Sequence, residues 1–426
     1  MKAPVGRSSL ALVVGLLVLS TLGAWLAMRS CSEEEVEGPK HVVLIVIDTL
    51  RADIVREVDT PVFDGLAAEG STASRAWSSG TWTAPSVISM FSGMPIRSHG
   101  WDFPFPSQMD NRTRSYAQVP EVPLLAEVLK AAGFQTSAFY GNHLLSQGLG
   151  YDRGFDRFQP SGDRRLPERV ATLLESQDLD ERQFLYLHLF GGHQPLRPTA
   201  ESAKKYGLDR QLIKGKGFRL RRAAQGNPAV QNQYGLAYKA VVEDIDERLG
   251  ELMQALGPIR EDALIIITSD HGEMLGEHGH FGHFEWLYEP LTTVPLVVVG
   301  GPEVPEAFSL SAIPDLITTT AGVQADSPVR YTDQGPLVSQ REGKIAFSED
   351  GRIKAIWDSD EFESGFAAFD LEEDPLEQTP LEGFRADLEG SRDSWLEATP
   401  HELLMPVDTS MTDAMLEALE ELGYMD

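Results

Sequence analysis

Apolar and β-branched residues are concentrated in short runs, and these runs predict the strands of one sheet. The runs cover residues 41–47, 136–140, 183–190, 263–268 and 295–299. In HVVLIVI at 41–47 and ALIIIT at 263–268, polar residues do not alternate with the apolar ones. A continuous apolar run is typical of a strand that is buried on both faces of a parallel sheet.

Segments with apolar residues at helical spacing lie between these runs. The predicted helices cover residues 61–68, 85–93, 122–132, 166–175 and 229–256. Strands that alternate with helices predict an α/β fold, in which helices flank a mostly parallel central sheet.

The pattern changes after about residue 340. Three shorter runs at 345–347, 353–357 and 366–370 predict antiparallel strands, and a final helix is expected near 412–421. We therefore predict a small C-terminal α+β subdomain. The predicted division is 1–30 for an N-terminal segment, 31–40 for a linker, 41–335 for a catalytic domain and 336–426 for the subdomain.

The N-terminal segment is apolar from Leu10 to Met28, after the basic residues Lys2 and Arg7. Its length is close to the roughly 20 residues that span a bilayer. Basic residues before such a run predict a cytoplasmic N-terminus and an exported remainder. An uncleaved membrane anchor over residues 8–28 is favoured over a lipoprotein acylated at Cys31 and over a cleaved secretory signal, because Arg29 fits a lipobox poorly.

The chain is strongly acidic, with 36 basic and 65 acidic residues and a net charge of −29. This charge argues against a nucleic-acid partner. The single cysteine excludes a disulfide framework and a cysteine metal cluster. Basic residues cluster only at 200–226, which predicts either a solvated flank or a contact for an anionic substrate or lipid headgroup.

Polar residues follow the predicted strands where the chain leaves the sheet. Asp48 follows the first strand, Asp270 and His271 follow the fourth, and His193 lies shortly after the third. Ligands of open α/β sheets bind at the carboxyl ends of the strands. Carboxylate and imidazole groups gathered there predict a site for a divalent metal ion.

A threonine, Thr83, lies where a loop runs into a helix, with Pro85 at the predicted first helical position. A hydroxyl group at this place lies beside backbone N–H groups and the positive end of the helix dipole. Alone, this pattern predicts only an N-cap. Together with Asp48 and Asp270-His271, it favours Thr83 as a nucleophile that attacks an anionic ester.

Three histidines occur within the segment 278–283, shortly after His271. We interpret this segment as a metal-binding or acid–base loop rather than a solvated loop. His283 is the favoured residue there, as an acid or as a further metal ligand. Four other histidines are weaker candidates, more often structural than catalytic: His99, His143, His278 and His280.

These motifs together resemble those of the sulfatase family within the alkaline phosphatase superfamily. The resemblance covers nearly the whole chain after the N-terminal apolar run. It rests on VLIVIDTLRAD at 43–53, TAPS at 83–86 with Ser92-Gly93, the segments 188–193 and 269–289, DLEEDPLE at 370–377 and LGY at 422–424.

The resemblance implies an alkaline phosphatase-like fold and an enzyme that acts on phosphoric or sulfuric esters. It implies that Asp48, Asp270 and His271 bind a divalent metal ion (Mn, Mg, Ca or Zn), with Thr83 as the fourth protein ligand. The Asp-x-x-x-His motif with which nucleotide phosphodiesterases hold a second zinc is absent at a suitable place, so one ion is expected.

The sequence departs from the family at the positions that matter most for chemistry. Sulfatases carry Cys or Ser where this chain has Thr83, and oxidise it to formylglycine. Threonine cannot give that aldehyde because its β-carbon also bears a methyl group. The Arg expected four residues later is Val87, the second acid after Asp48 is Thr49, and the segment 141–143 lacks the expected Lys.

The leading hypothesis is an exported, membrane-tethered hydrolase or transferase that cleaves phosphate or phosphonate esters through a covalent Thr83 intermediate. His193 or His283 would protonate the leaving group. The substrate is expected to be an anionic ester, with a lipid headgroup or an envelope glycan suggested by location alone. Two alternatives are sulfate-ester hydrolysis at the same site and a non-catalytic envelope binding protein.

Overall fold

This computed structural model describes residues 38–100, 112–115, 122–209, 226–283, 285–325, 329–383, 385–401, 407–410, 412, 413 and 416. The expected anchor at 8–28 lies outside the described residues, as do residues 210–225 of the basic cluster and most of the expected final helix. Within the described part of the chain, no helix is both long enough and apolar enough to cross a bilayer.

The described strands and helices are numbered here in chain order. The strands are β1 (His41–Ile47), β2 (Ser71–Thr72), β3 (Arg75–Trp77), β4 (Arg112–Ser115), β5 (Gln135–Tyr140), β6 (Arg157–Pro160), β7 (Gln183–Leu189), β8 (Ala263–Thr268), β9 (Met274–Leu275), β10 (Phe281–Gly282), β11 (Thr293–Val294), β12 (Leu296–Val299), β13 (Ala307–Ser309), β14 (Leu337–Arg341), β15 (Lys344–Ser348), β16 (Ile353–Trp357), β17 (Ala367–Asp370) and β18 (Val407–Ser410). The α-helices are α1 (Ala52–Glu57), α2 (Pro61–Glu69), α3 (Thr83–Ser92), α4 (Ile96–His99), α5 (Leu125–Ala131), α6 (Leu166–Ser176), α7 (Ala200–Lys205), α8 (Pro228–Ala255), α9 (Glu289–Thr292), α10 (Ile313–Thr320) and α11 (Arg385–Ala398).

The central sheet has seven strands in the order β2-β12-β8-β1-β7-β5-β6. Strand β1 lies in the middle and pairs in parallel with β7 and β8. Strand β12 runs antiparallel to both of its neighbours. The predicted α/β fold with a mostly parallel central sheet is confirmed.

Every residue of β1 is buried, because helices cover both faces of the sheet. Val42, Leu44 and Val46 pack into one apolar core, which also contains residues of α3. The alternate residues of the strand pack into a second core, which also contains residues of the long helix α8. Two apolar faces leave no position for a polar side chain, which explains the continuous apolar run in the sequence.

A second sheet follows near the C-terminus, with the four antiparallel strands β14 to β17 in chain order. Strands β15, β16 and β17 were expected from the sequence, whereas β14 was not. The division of the chain at residues 335 and 336 stays a prediction.

A buried lysine, Lys354 on β16, links this second sheet to helix α9. Its Nζ atom lies 3.0 Å from Glu289 Oε1 and 2.9 Å from Glu377 Oε1. It also lies 3.1 Å from the Thr292 hydroxyl and 4.9 Å from the centre of the Trp77 ring. Burial raises the pKa of Glu377 to about 7, although the neighbouring Lys354 opposes this shift.

Removal of this buried cation is expected to destabilise the protein. Lys354→Ala should lower the free energy of unfolding by about 3 kcal/mol, because it leaves two acidic groups without their common partner. Urea unfolding followed by circular dichroism measures the loss. The matched control is Lys205→Ala, which breaks an exposed pair with Glu243 and should cost at most about 1 kcal/mol. Equal losses in the two variants would contradict the proposed link.

Candidate metal-binding and active site

The candidate site lies at the carboxyl edge of the central sheet. Asp48 directly follows β1, and Asp270 and His271 follow the neighbouring strand β8. Both aspartates and His271 are fully buried. Because β1 and β8 are adjacent and parallel, their ends bring these side chains together, as the strand-end pattern predicts.

The His271 ring is oriented by its own backbone. Its Nδ1 atom lies 2.9 Å from the carbonyl oxygen of Gly272, which can only accept a hydrogen bond, so the proton lies on Nδ1. In the neutral ring the opposite atom, Nε2, therefore presents its lone pair to the site. It lies 3.7 Å from Asp48 Oδ1, 3.6 Å from Asp270 Oδ2 and 3.5 Å from Thr83 Oγ1.

A second imidazole, that of His188, faces the same carboxylates. It projects from β7, and its Nε2 atom lies 3.7 Å from Asp270 Oδ2. Ligand atoms of Asp48, His188 and Asp270 all lie within 4.8 Å of one another. Sequence analysis included His188 in a family-like segment but did not predict it as a ligand. The available signal was a polar residue inside the otherwise apolar run QFLYLHL.

The two buried carboxylates have opposite tendencies. Burial raises the pKa of Asp48 well above its usual range, and the nearby Asp270 adds to this effect. Burial also tends to raise the pKa of Asp270, but His271, His188 and the backbone N–H of Thr49 together hold it below its usual value. A single proton or a cation is therefore needed between two groups that repel each other.

The same atoms fit a divalent metal ion. Asp48 Oδ1, Asp270 Oδ2 and both ring nitrogens of His188 lack a hydrogen-bond partner among the described residues. Buried polar atoms without a partner are costly, so each such group calls for an explanation. Carboxylate oxygens and neutral imidazole nitrogens are ordinary ligands of divalent cations.

Thr49 holds an unusual backbone conformation next to Asp48. Its φ angle is 57°, in the left-handed region that a β-branched residue rarely adopts. This conformation directs the Thr49 N–H to Asp270 Oδ1 at 3.2 Å, and the Thr49 hydroxyl bonds to the Asp48 carbonyl at 2.8 Å. This conformation costs about 1–3 kcal/mol of backbone strain. It also allows the Thr49 N–H to donate to the buried carboxylate of Asp270.

Thr83 is the first residue of helix α3, and Trp82 is the N-cap. The helix begins two residues before Pro85, earlier than predicted, because proline is tolerated throughout a first turn whose N–H groups have no partner within the helix. The buried Thr83 hydroxyl therefore lies at the positive end of the helix. The structure brings it to the two aspartates and His271, as the sequence suggests.

Asn142 is a site residue that sequence analysis missed. Its Nδ2 atom donates to Asp48 Oδ2 at 2.7 Å and to Thr83 Oγ1 at 3.0 Å. Its Oδ1 atom accepts the N–H of Leu144 at 2.9 Å, which fixes the orientation of the amide. One neutral side chain therefore holds the candidate nucleophile against the candidate metal ligand.

The two candidate acids, His193 and His283, lie side by side, with ring centres 5.1 Å apart. The His283 ring is also 4.6 Å from the His271 ring. His193 Nδ1 contacts the Gln194 carbonyl at 2.6 Å, and His283 Nδ1 contacts Glu273 Oε2 at 2.8 Å. The structure thus places both histidines next to the carboxylate site.

Glu273 is a further residue that sequence analysis did not predict. Its second oxygen accepts the Tyr234 hydroxyl at 3.2 Å, and Tyr234 in turn accepts a hydrogen bond from Gln194. Glu273 therefore fixes the orientation of the His283 ring. Through Tyr234, the same hydrogen bonds connect Glu273 to Gln194, the residue after His193.

The weaker histidine candidates make contacts typical of structural residues. His278 stacks on Tyr288 with ring centres 3.8 Å apart, and His280 stacks on Trp286 at 4.0 Å. His99 bonds to Ser89 at 2.8 Å, and burial lowers the pKa of His99 to about 3. His143 lies in a short helical turn, where its carbonyl accepts a hydrogen bond from Ser146.

Comparison with protein families gives one clear match. The family model described as Sulfatase matches residues 40–319. These residues include both aspartates, Thr83, Asn142 and the histidines of the site.

Among known proteins, a choline-sulfatase of Rhizobium meliloti (strain 1021) is 30% identical over 177 residues, which cover 34% of this chain and 32% of that protein. The alignment therefore spans only about a third of the length of that relative.

Solved structures match over a much larger part of the chain. The structure of BT4656 in complex with its substrate D-glucosamine-2-N,6-O-disulfate has a TM-score of 0.64 at 15% identity, and covers 91% of this chain and 98% of that one. The phosphonate monoester hydrolase of Agrobacterium radiobacter has a TM-score of 0.62 at 16% identity, and covers 84% and 94%. At these identities the two structures support the fold alone.

If His188 is a ligand, its removal should weaken cation binding. His188→Ala is expected to lower the affinity for Mn²⁺ by at least about tenfold, measured by isothermal titration calorimetry. His188→Gln serves as a second variant of similar size, and thermal unfolding without metal checks that both fold. The control is His401→Ala, which changes an exposed histidine. Equal affinities in the His188 variants and the control would exclude His188 from the ligand set.

Proposed function

This chain belongs to the sulfatase family of the alkaline phosphatase superfamily, and from that premise we propose that it is a metal-dependent hydrolase or transferase for phosphate or phosphonate esters. The family consists of hydrolases that act on sulfate or phosphonate esters. The observation that carries the proposal is the position of the Thr83 hydroxyl. It lies at a helix start, within 3.5 Å of His271 Nε2 and 3.0 Å of the Asn142 amide.

The identity of the nucleophile favours phosphorus over sulfur. A formylglycine hydrate can expel sulfate from its own carbon, because that carbon bears a second hydroxyl group. An ester of Thr83 has no such exit, so water or another acceptor must attack the central atom. That route is well suited to phosphorus esters.

The site residues fit one divalent ion of the set Mn, Mg, Ca or Zn. Asp48, Asp270, His271 and Thr83 would hold it, and His188 is a further candidate ligand. When bound, the ion would supply positive charge that offsets the charge of the ester oxygens and favours the ionised form of the Thr83 hydroxyl.

The remaining steps follow from the side chains themselves. In the first step a bond forms between Thr83 Oγ1 and phosphorus, and the bond from phosphorus to the leaving oxygen breaks. Asn142 already donates to Oγ1 and stabilises negative charge on it. The Thr83 hydroxyl releases its proton to solvent, and the leaving oxygen gains a proton from His193 or His283. In the second step the same histidine, now neutral, takes the proton of water, or of an alcohol in a transferase, as that oxygen attacks phosphorus. The bond from phosphorus to Thr83 Oγ1 breaks, and Oγ1 regains a proton from solvent.

The second candidate function is sulfate-ester hydrolysis at the same site. The similarity to the choline-sulfatase, whose printed name gives its activity, favours it. A third candidate, a non-catalytic binding protein, is disfavoured because Thr83, Asp48, Asp270 and His271 are all present and adjacent.

We further propose that the site faces away from the cytoplasm, tethered by the apolar run at 8–28. The support is the run itself and the basic residues before it. A lipid headgroup or an envelope glycan is then a plausible carrier of the ester.

A panel of esters separates the candidate functions. The purified full chain, supplied with Mn²⁺, Mg²⁺, Ca²⁺ or Zn²⁺ in turn, is expected to hydrolyse an aryl phosphate monoester, diester or phosphonate faster than the matching aryl sulfate. Release of the aryl alcohol measures turnover. Faster sulfate hydrolysis would favour the second candidate, and no turnover of any ester with metal bound would favour the third.

A change at Thr83 tests the nucleophile. Thr83→Ala should lower kcat by at least about a thousandfold, because it removes the attacking oxygen. Thr83→Ser retains a hydroxyl group and should keep measurable turnover. Mass spectrometry of the rapidly quenched enzyme should locate the transferred group on Thr83. Undiminished turnover in Thr83→Ala would show that the nucleophile is another group.

A further inference from the structure

A cavity of about 660 Å³ opens directly beside His193. We infer that it binds a second anionic group of the substrate, carried on the leaving-group side. This inference rests on the proposed function, in which His193 is a candidate donor to the leaving oxygen. Because His193 also lines the cavity, one substrate molecule can place its leaving oxygen at His193 and its second anionic group in the cavity.

The cavity lies beside the loop that follows β5 and the loop that follows β7. These loops approach each other at Gly141 and Gly191, which have no side chains. A Cβ atom at Gly141 would lie 2.8 Å from the Cβ atom of Phe190, and one at Gly191 would lie 2.7 Å from Ile245 Cγ1. Both positions would also approach the carboxylate of Asp163 to within 3.3 Å. Glycine is therefore required at both positions for the loops to meet around Asp163.

Asp163 joins the basic part of the cavity to the loop that carries His193. Its Oδ1 atom accepts the backbone N–H of Phe190 at 2.9 Å. Asp163 begins a short helical turn that continues through Arg164 and Arg165. The bond therefore holds these two arginines at a fixed place relative to His193.

Three arginines of the lining have exposed side chains: Arg164, Arg165 and Arg197. None of the three side chains is hydrogen-bonded or ion-paired to another residue in the part of the chain that the structure describes. Unpaired guanidinium groups are notable in a chain with a net charge of −29. Guanidinium groups recognise sulfate, phosphate and carboxylate through paired hydrogen bonds.

Two of the acidic residues of the lining, Asp163 and Asp244, are already engaged by other groups. Asp244 already accepts hydrogen bonds from the Thr199 backbone and hydroxyl, at 2.6 and 2.8 Å. Asp163 is only partly exposed, and its carboxylate accepts the Phe190 backbone N–H. Arg248 adds a fourth guanidinium group, which is paired with Glu251 outside the lining. Glu247 is the one exposed acid of the described lining, so the exposed charged groups there are three arginines and one glutamate.

Matched substrates isolate the charge of the second group. The 4-carboxyphenyl and 4-carbamoylphenyl phosphates have nearly the same shape, but only the first has an anion on its leaving group. Their meta isomers are included because the arginine side chains are long. The wild-type protein should prefer the carboxylate form in kcat/KM. Arg164→Ala combined with Arg197→Ala should lower that preference by about tenfold, the equivalent of roughly 1.4 kcal/mol.

The control variant is Arg157→Ala, which removes an exposed arginine on β6 outside the cavity lining. It should leave the preference unchanged. An unchanged preference in the double variant, with both phosphates still hydrolysed, would overturn the inference and leave the proposed function standing.

A binding measurement keeps the two proposals separate. The benzylphosphonates with a 4-carboxy or a 4-carbamoyl group are not hydrolysed, and calorimetry gives their Kd values. The wild-type protein should bind the carboxylate form more tightly, and the double variant should lose that difference. This result would support the cavity even if no phosphate ester were turned over. Equal Kd values in the wild-type protein would overturn it.

Discussion

Two carboxylates that are buried side by side, Asp48 and Asp270, set the main constraint on this structure. Two like charges in a dry interior repel each other strongly, so the fold must surround them with donors or a cation. Two hydrogen-bond donors come from distant parts of the chain, the amide of Asn142 and the backbone N–H of Thr49. The imidazole rings of His188 and His271 also face Asp270, at 3.7 and 3.6 Å. The order of the strands brings these groups together, because β8, β1 and β7 are adjacent and their ends meet.

The sequence predicted the strands accurately where both faces are covered. Strand β1 has the predicted bounds because burial on two sides leaves only apolar residues in the run. The direction of β12 could not be predicted, since an apolar run has the same pattern in either direction and the connection alone decides. The start of α3 was placed two residues late because Pro85 fits any position of a first turn.

The residues of the candidate site were predictable only where a local sequence pattern marks them. Asp48, Asp270 and His271 follow strand ends, and Thr83 begins a helix, so local pattern marks each of them. His188 lies inside an apolar strand, and Asn142 reaches Asp48 across 94 positions of the chain. Glu273 acts through contacts with His283 and Tyr234. These roles depend on tertiary contacts, which cannot be predicted from a short segment of the sequence.

Two of the departures from the family pattern compensate each other in charge, and a third does not. The segment at 141–143 lacks the expected lysine, and Thr49 replaces the expected second acid, so one cation and one anion are lost together. Val87 removes a further cation, and Asn142 supplies a neutral donor. The centre itself thus has few positive groups for an anionic ester. The helix start is one of them, and a metal ion, when bound, would add another. The arginines that line the cavity with His193, proposed above to bind a second anionic group, would add positive charge beside this centre.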